Sequence, residues 1–137
     1  MQTSVRGIQF IAKNEGFSST VYDDAGHRAI GYGHDLLPSE SFPDGITEDQ
    51  GLDLLGKDVA RIEPFLNDMA TGLNQNQFDA CVDFAYNLGL GSLRTLLGHG
   101  IDQVPDQLPR WVNVQGKPSL GLVARRQAEI ELWNTPV

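Results

Sequence analysis

One cysteine, ten basic residues against eighteen acidic ones, and no long apolar run set the first limits on this chain. With Cys81 alone, no intrachain disulfide can form and the fold needs no oxidising compartment. A formal charge of -8 argues against a broad electrostatic attraction to nucleic acid or to an anionic membrane surface. Met1 to Arg6 lacks the basic-then-apolar pattern of an export signal, and no apolar stretch nears the roughly 18 residues of a membrane span. The expectation is a chain made in the cytoplasm without a signal peptide and without membrane insertion. No His/Cys/Asp/Glu grouping has metal-ligand spacing, so neither a metal nor a cofactor is expected. A P-loop, a G-x-S-x-G and a Ser-His-Asp set are absent too.

What is present is one domain's worth of amphipathic segments. A chain of 137 residues, 40% hydrophobic and 20% charged, buries roughly two thirds of its unfolded surface on folding. Helical patterns fill most of the length, which predicts a mostly helical α+β protein rather than alternating βαβ units. The simplest architecture is a single monomeric domain over 1–137. A small hairpin lobe at about 15–46 would be joined by a helix starting at Thr47 to a helical lobe.

From Thr3 or Ser4 as cap, Val5, Ile8, Ile11 and Ala12 recur at spacings of three and four, predicting a helix to about Asn14 that Gly16 ends. Glu15 falls on the apolar stripe of that helix and at its negative end. Burial and the helix dipole both disfavour the charged carboxylate there and raise its pKa, which suits a general acid. Thr20 to Tyr22 and Arg28 to Gly33 read as short strands around Asp23-Asp24-Ala25-Gly26, with Gly26 taking positive φ.

Further on, Thr47-Glu48-Asp49-Gln50 and Asn74 to Gln77 have capping-box spacing, and Pro64 is expected to kink or end the Thr47 helix. Phe78, Cys81, Val82, Ala85 and Leu88 form one apolar face. Ser92 to Leu97 is a short helix. Val104 to Val112, broken by Pro105 and Pro109, holds a turn or two. Gln115 to Pro118 is loop, and a last helix capped by Ser119 turns Leu122, Val123, Ile130 and Trp133 inward.

Cleaving a glycosidic bond takes a proton donor at the leaving oxygen and a second carboxylate that activates water or attacks the anomeric carbon. Glu15 suits the first role and a hairpin aspartate the second. Successive strand side chains face opposite ways, so only one of Asp23 and Asp24 can face Glu15, and the other is expected in the turn. A glutamate at a helix end is often only surface, and Asp-Asp before glycine is often only a turn. His34 is expected as a hydrogen-bond or ion-pair partner rather than a base, and Cys81 as a buried packing thiol. Arg125 and Arg126 suggest a solvated face, although the helix bearing both could turn one toward Glu15.

At these residues the chain resembles the phage-type lysozyme family, the endolysin muramidases of glycoside hydrolase family 24. The likeness runs through Glu15-Gly16-Phe17, Tyr22, an Asp, Ala25-Gly26-His27 and Ile30-Gly31-Tyr32-Gly33-His34. It continues in PSESFPDGIT (38–47), NQNQFDACVDFAYNLG (74–89) and GLVARRQAE (121–129), and so covers nearly the whole chain. It implies a lysozyme-like fold with the site in a cleft between lobes, and cleavage of the β-1,4 link between N-acetylmuramic acid and N-acetylglucosamine in peptidoglycan glycan strands. Glu15 would be the acid and Asp24 the second carboxylate. Tyr32 and the backbone at Gly31 and Gly33 would line the groove, and the enzyme would act in the periplasm or cell wall.

The segment between Tyr22 and Gly26 is one residue shorter than the family's. Counting forward from Glu15 selects Asp24, nine residues on, while counting back from Gly26 selects Asp23. The forward count is adopted, because it shares a face with Tyr22. Ala29 stands where the family usually has a threonine that helps hold the attacking water. That departure keeps two alternatives open: a binding or scaffolding module that has lost turnover, and a lytic transglycosylase. The family's usual outcome is inversion, with carboxyl groups roughly 6.5–9.5 Å apart, against roughly 5–5.5 Å for retention.

Overall fold

The computed structural model describes all of residues 1–137. Helix α1 (Val5–Glu15) starts where Ser4, in extended conformation, accepts a hydrogen bond from the Gly7 amide at 2.9 Å. It ends at Gly16, whose φ of 75° suits a residue without Cβ. Ile11 and Ala12 are buried as the spacing predicts, whereas Val5, expected on the same stripe, is exposed.

Three antiparallel strands follow, β1 (Ser18–Asp24), β2 (His27–Gly31) and β3 (His34–Asp35), with β2 in the middle. Pairing of Asp23 with Arg28 and of Asp24 with His27 leaves only Ala25 and Gly26 in the turn. Both have positive φ, 50° and 89°, which matches the twist of the flanking strands. The expectation that one aspartate serves as a turn residue is thereby corrected. Such a tight turn lets pairing run to its edge, so both acids belong to β1. Strand β3, unforeseen, is held by the pairs Ala29 with Asp35 and Ile30 with His34.

Helix α2 (Glu48–Ala60) opens with both halves of the Thr47/Gln50 capping box. It lies against β2, β3 and α1, joining the sheet to the helices. Pro64 does not kink it. It sits in the first turn of a separate helix, α3 (Glu63–Met69), where a missing amide hydrogen costs nothing. Helix α4 (Gln75–Leu88), again capping-boxed through Asn74 and Gln77, is the centre of the helical lobe and packs on α1, α3 and the two helices that follow it closely in space. These are α5 (Leu90–Leu97) and α7 (Leu120–Asn134), separated by the single-turn α6 (Val104–Gln107). Residues 115–118, expected as loop, instead join β4 (Asn113–Val114) and β5 (Lys117–Pro118) around Gln115 and Gly116, which both take positive φ.

The core is built on α4: Phe78, Cys81, Val82 and Phe84 are nearly inaccessible and meet Leu55, Leu66, Leu93, Leu96 and Trp133. Burial pushes the Cys81 thiol well up, as expected of a packing thiol. The architecture is the mostly helical α+β fold that the patterns predict, and no helix is long and apolar enough to cross a membrane. Helix α7 departs from its pattern. Its inward face carries Arg125, Arg126 and Glu129 with Leu132 and Trp133, while Val123, expected inside, is 44% exposed.

Candidate active site

Glu15 closes α1 at the point where the chain turns into the sheet, so its carboxylate lies between the helical lobe and the hairpin. It is half-buried and ion-paired with Nη1 of Arg125, which reaches over from α7. Burial raises its pKa above the ordinary carboxylate value; Arg125 pulls it down, and the nearby charges of Asp83 and Asp24 push it up again. The net direction is upward, toward a carboxyl that holds its proton. Gly33, at φ 82°, gives this group its space: a Cβ there would come within 2.8 Å of Glu15 Oε1 and 3.4 Å of the Tyr86 hydroxyl.

Asp24 stands exposed at the end of β1. Its charge acts on Glu15 and on the Tyr22 phenol. Strand alternation explains this, since Asp24 and Tyr22 share one face and Asp23, paired with Arg28, points the other way. Tyr22 sits directly across from Ala29 in the ladder, and Ala29 is fully buried. Burial raises the Tyr22 hydroxyl's pKa, with Asp24, Glu15 and Asp35 adding to the shift.

The other expected groove residues have different surroundings. Tyr32 is 9% exposed and packs into the core, its ring 5.2 Å from that of Phe17 and against Gly51. Its side chain is a joint between sheet and α2 rather than a groove wall. Gly31 is buried too, and a Cβ on it would meet Ile46 at 3.2 Å and Gly51 at 3.4 Å, so its glycine serves close packing rather than room for sugar. Gly33 alone borders open space, a cavity of about 260 Å³ that Asp35, Leu37, Asp58, Arg61 and Tyr86 also line.

His34 is the structural partner that the sequence suggests. It is buried, with Nδ1 2.7 Å from Asp58 and Nε2 2.8 Å from Glu40, and Glu40 also accepts the Leu37 amide. Burial alone would lower its pKa, but the two carboxylates outweigh burial and raise it. Thus His34 ties the loop after the sheet to α2.

Arg125 turns toward Glu15, as sequence reasoning allowed, but the rest of the buried polar network behind it escapes that reasoning. Arg125 and Arg126 do not form a solvated face. Arg125 bridges Glu15 and Asp83, and Arg126 lies 5.0 Å over the Phe84 ring, donating to Asn87 and to the Trp111 carbonyl. Glu129, fully buried, pairs with Arg126 at 2.6 Å. Asn14 donates to Asp83, and the Tyr86 hydroxyl donates to the Tyr32 carbonyl at 2.7 Å. The signal available was that Asp79 and Asp83, four apart beside an apolar face, have no Lys or Arg on their own helix. No group of three or more His, Cys, Asp or Glu side chains could hold a metal ion.

With this geometry in view, the relatives are informative. The Phage lysozyme family model matches residues 12–129. The chain is 37% identical to an endolysin of Bacillus phage PZA over 98% of its own length, and covers 56% of that protein. It therefore spans about half of that relative. It is also 30% identical to an endolysin of Acyrthosiphon pisum secondary endosymbiont phage 1, covering 98% of this chain and 99% of the other. Among solved structures, the muramidase domain of SpmX from Asticaccaulis excentricus superposes with a TM-score of 0.86 at 27% identity, over 98% of this chain and 99% of that one.

Proposed function

From the chain's membership of the phage lysozyme family, we propose that it is an endolysin-like muramidase, hydrolysing the β-1,4 bond between N-acetylmuramic acid and N-acetylglucosamine in peptidoglycan. The observation that carries the reading is the pairing of unlike carboxylates: half-buried Glu15 with its pKa raised, and exposed Asp24 near enough to act on it. Glu15 protonates the leaving glycosidic oxygen. Asp24, exposed at the end of β1, stabilises the positive charge developing at the anomeric carbon and orients the attacking water.

The water must be held without the family's threonine. Tyr22, facing Ala29 across the ladder and close to both carboxylates, presents the hydroxyl best placed for that task. Arg125 receives the charge of Glu15 after proton donation. The backbone at Gly33, beside Glu15 and bordering the cavity with Asp35 and Tyr86, contributes to the groove. The protein works as a monomer on glycan strands in the periplasm or cell wall, after synthesis in the cytoplasm.

Reducing-end release from purified peptidoglycan tests the reading. Wild-type protein is expected to release them and Glu15→Gln is not. Binding without release by the wild type would instead establish a binding module, the alternative that Ala29 favours. Mass spectrometry of the fragments separates hydrolysis, with hydrated muramyl ends, from transglycosylation, with anhydro-muramyl ends.

A further inference from the structure

The guanidinium behind the acid is divided unequally. Nε and Nη2 of Arg125 both donate to Asp83, at 3.1 and 2.9 Å, while Nη1 alone is left for Glu15. Asp83 is fully buried in α4, and Asn14 donates to it at 3.3 Å. Glu129, fully buried, lies near it, and burial and Asp83 both push the Glu129 pKa up. Asp83 faces Arg125, with which it forms an ion pair.

An arginine that gave its two-pronged face to Glu15 would hold that group as a carboxylate. We propose that Asp83 is a positioning residue for the acid: by occupying the bidentate edge of Arg125 it restricts the arginine to one N–H contact with Glu15, leaving Glu15 able to carry the proton it donates. This rests on the muramidase reading of Glu15. The other ionisable groups around the acid are Asp24 and Tyr22 from β1 and Tyr86 from α4. Arg126 and Glu129 stand behind Arg125 on α7, and exposed Lys13 on α1 borders the cavity beside Arg125. Asp83 is the one among them that binds Arg125 through two bonds.

The test is the pH profile of kcat/KM on peptidoglycan fragments for wild type, Asp83→Asn, Asp83→Glu and Glu15→Gln. Loss of the proton from Glu15 sets the alkaline limb. Removing the Asp83 charge turns Arg125 toward Glu15, so the limb moves to lower pH by about 1 unit, and Asp83→Glu returns it toward the wild-type position. A folded Asp83→Asn whose limb superimposes on the wild type overturns the proposal. If Asp83→Asn does not fold, carboxyl-carbon NMR titration of the wild-type protein decides. Glu15 titrating above the ordinary carboxylate range supports the proposal, and Glu15 titrating at or below that range overturns it. Glu15→Gln separates the two levels: activity retained by that variant removes Glu15 as the acid, and no activity in the wild type removes the muramidase reading, whereas an inactive Glu15→Gln with an unmoved Asp83→Asn removes only the role of Asp83.

Discussion

Glu15 and Asp24 stand on walls of opposite physical character. Glu15 ends a packed helix and is backed by Arg125, Asp83, Arg126 and Glu129, all buried. Asp24 ends an exposed strand beside a two-residue turn and makes no ion pair. In the proposed mechanism the proton donor sits where charge is penalised and the second carboxylate stands exposed, so one chemical type takes two roles. The walls also differ in what supports them. Behind Glu15 the contacts cross between helices, Arg125 of α7 to Asp83 of α4 and Arg126 to Asn87, so the loss of one side chain strips partners from others. The hairpin depends on its ladder and turn, so its side chains are individually replaceable.

That contrast can be broken at several points. The largest effect is expected from Glu15→Gln, which removes the acid and should lower hydrolysis by about 10³-fold or more, measured as reducing ends released. Next is Arg126→Met, on the same wall but away from the reacting groups. It strips partners from Asn87, Glu129 and the Trp111 carbonyl and should cost about 3 kcal/mol in urea unfolding, whereas hairpin substitutions should stay within about 0.5 kcal/mol. A loss of similar size from Asp24→Asn would erase the distinction between the walls.

On the hairpin, the proposed mechanism expects Asp24→Asn to lower turnover by about 10²-fold while Asp23→Asn leaves it near wild type, since Asp24 shares the face of Tyr22 and its charge acts on Glu15. The reverse ranking would hand the second carboxylate to Asp23. The smallest expected change is from Tyr22→Phe. Losing one hydrogen bond to the attacking water should reduce turnover by about tenfold with stability unchanged, and an unaltered rate would remove Tyr22 from water positioning.

Much of the acid's wall was legible, because its signals are local. Ser4 as cap, Gly16 as stop and Glu15 on the stripe follow from helical period alone, and the observed helix differs by one residue at its end. That Asp24 shares a strand face with Tyr22 followed from strand parity, since both belong to β1. What failed were positions where local chemistry permits two outcomes. Asp-Asp before Ala-Gly reads as a turn unless Ala25 accepts a left-handed conformation, and it does. Pro64 stops one helix or starts another, and only the chain direction after Ala60 decides between them. Tyr32 and Gly31, read as groove residues, became packing residues because α2 brings Gly51 against them.

By itself, then, the sequence determined the helix periods, the caps, the hairpin and the acid at the end of α1, since each depends on neighbours a few residues away. Only the tertiary structure decided which charges are buried together. Glu15, Asp83 and Arg125 come from α1, α4 and α7, with 110 positions between the first and the last. No local spacing encodes their meeting, because an acid's partner is chosen by whichever buried cation the packing of three helices brings within reach.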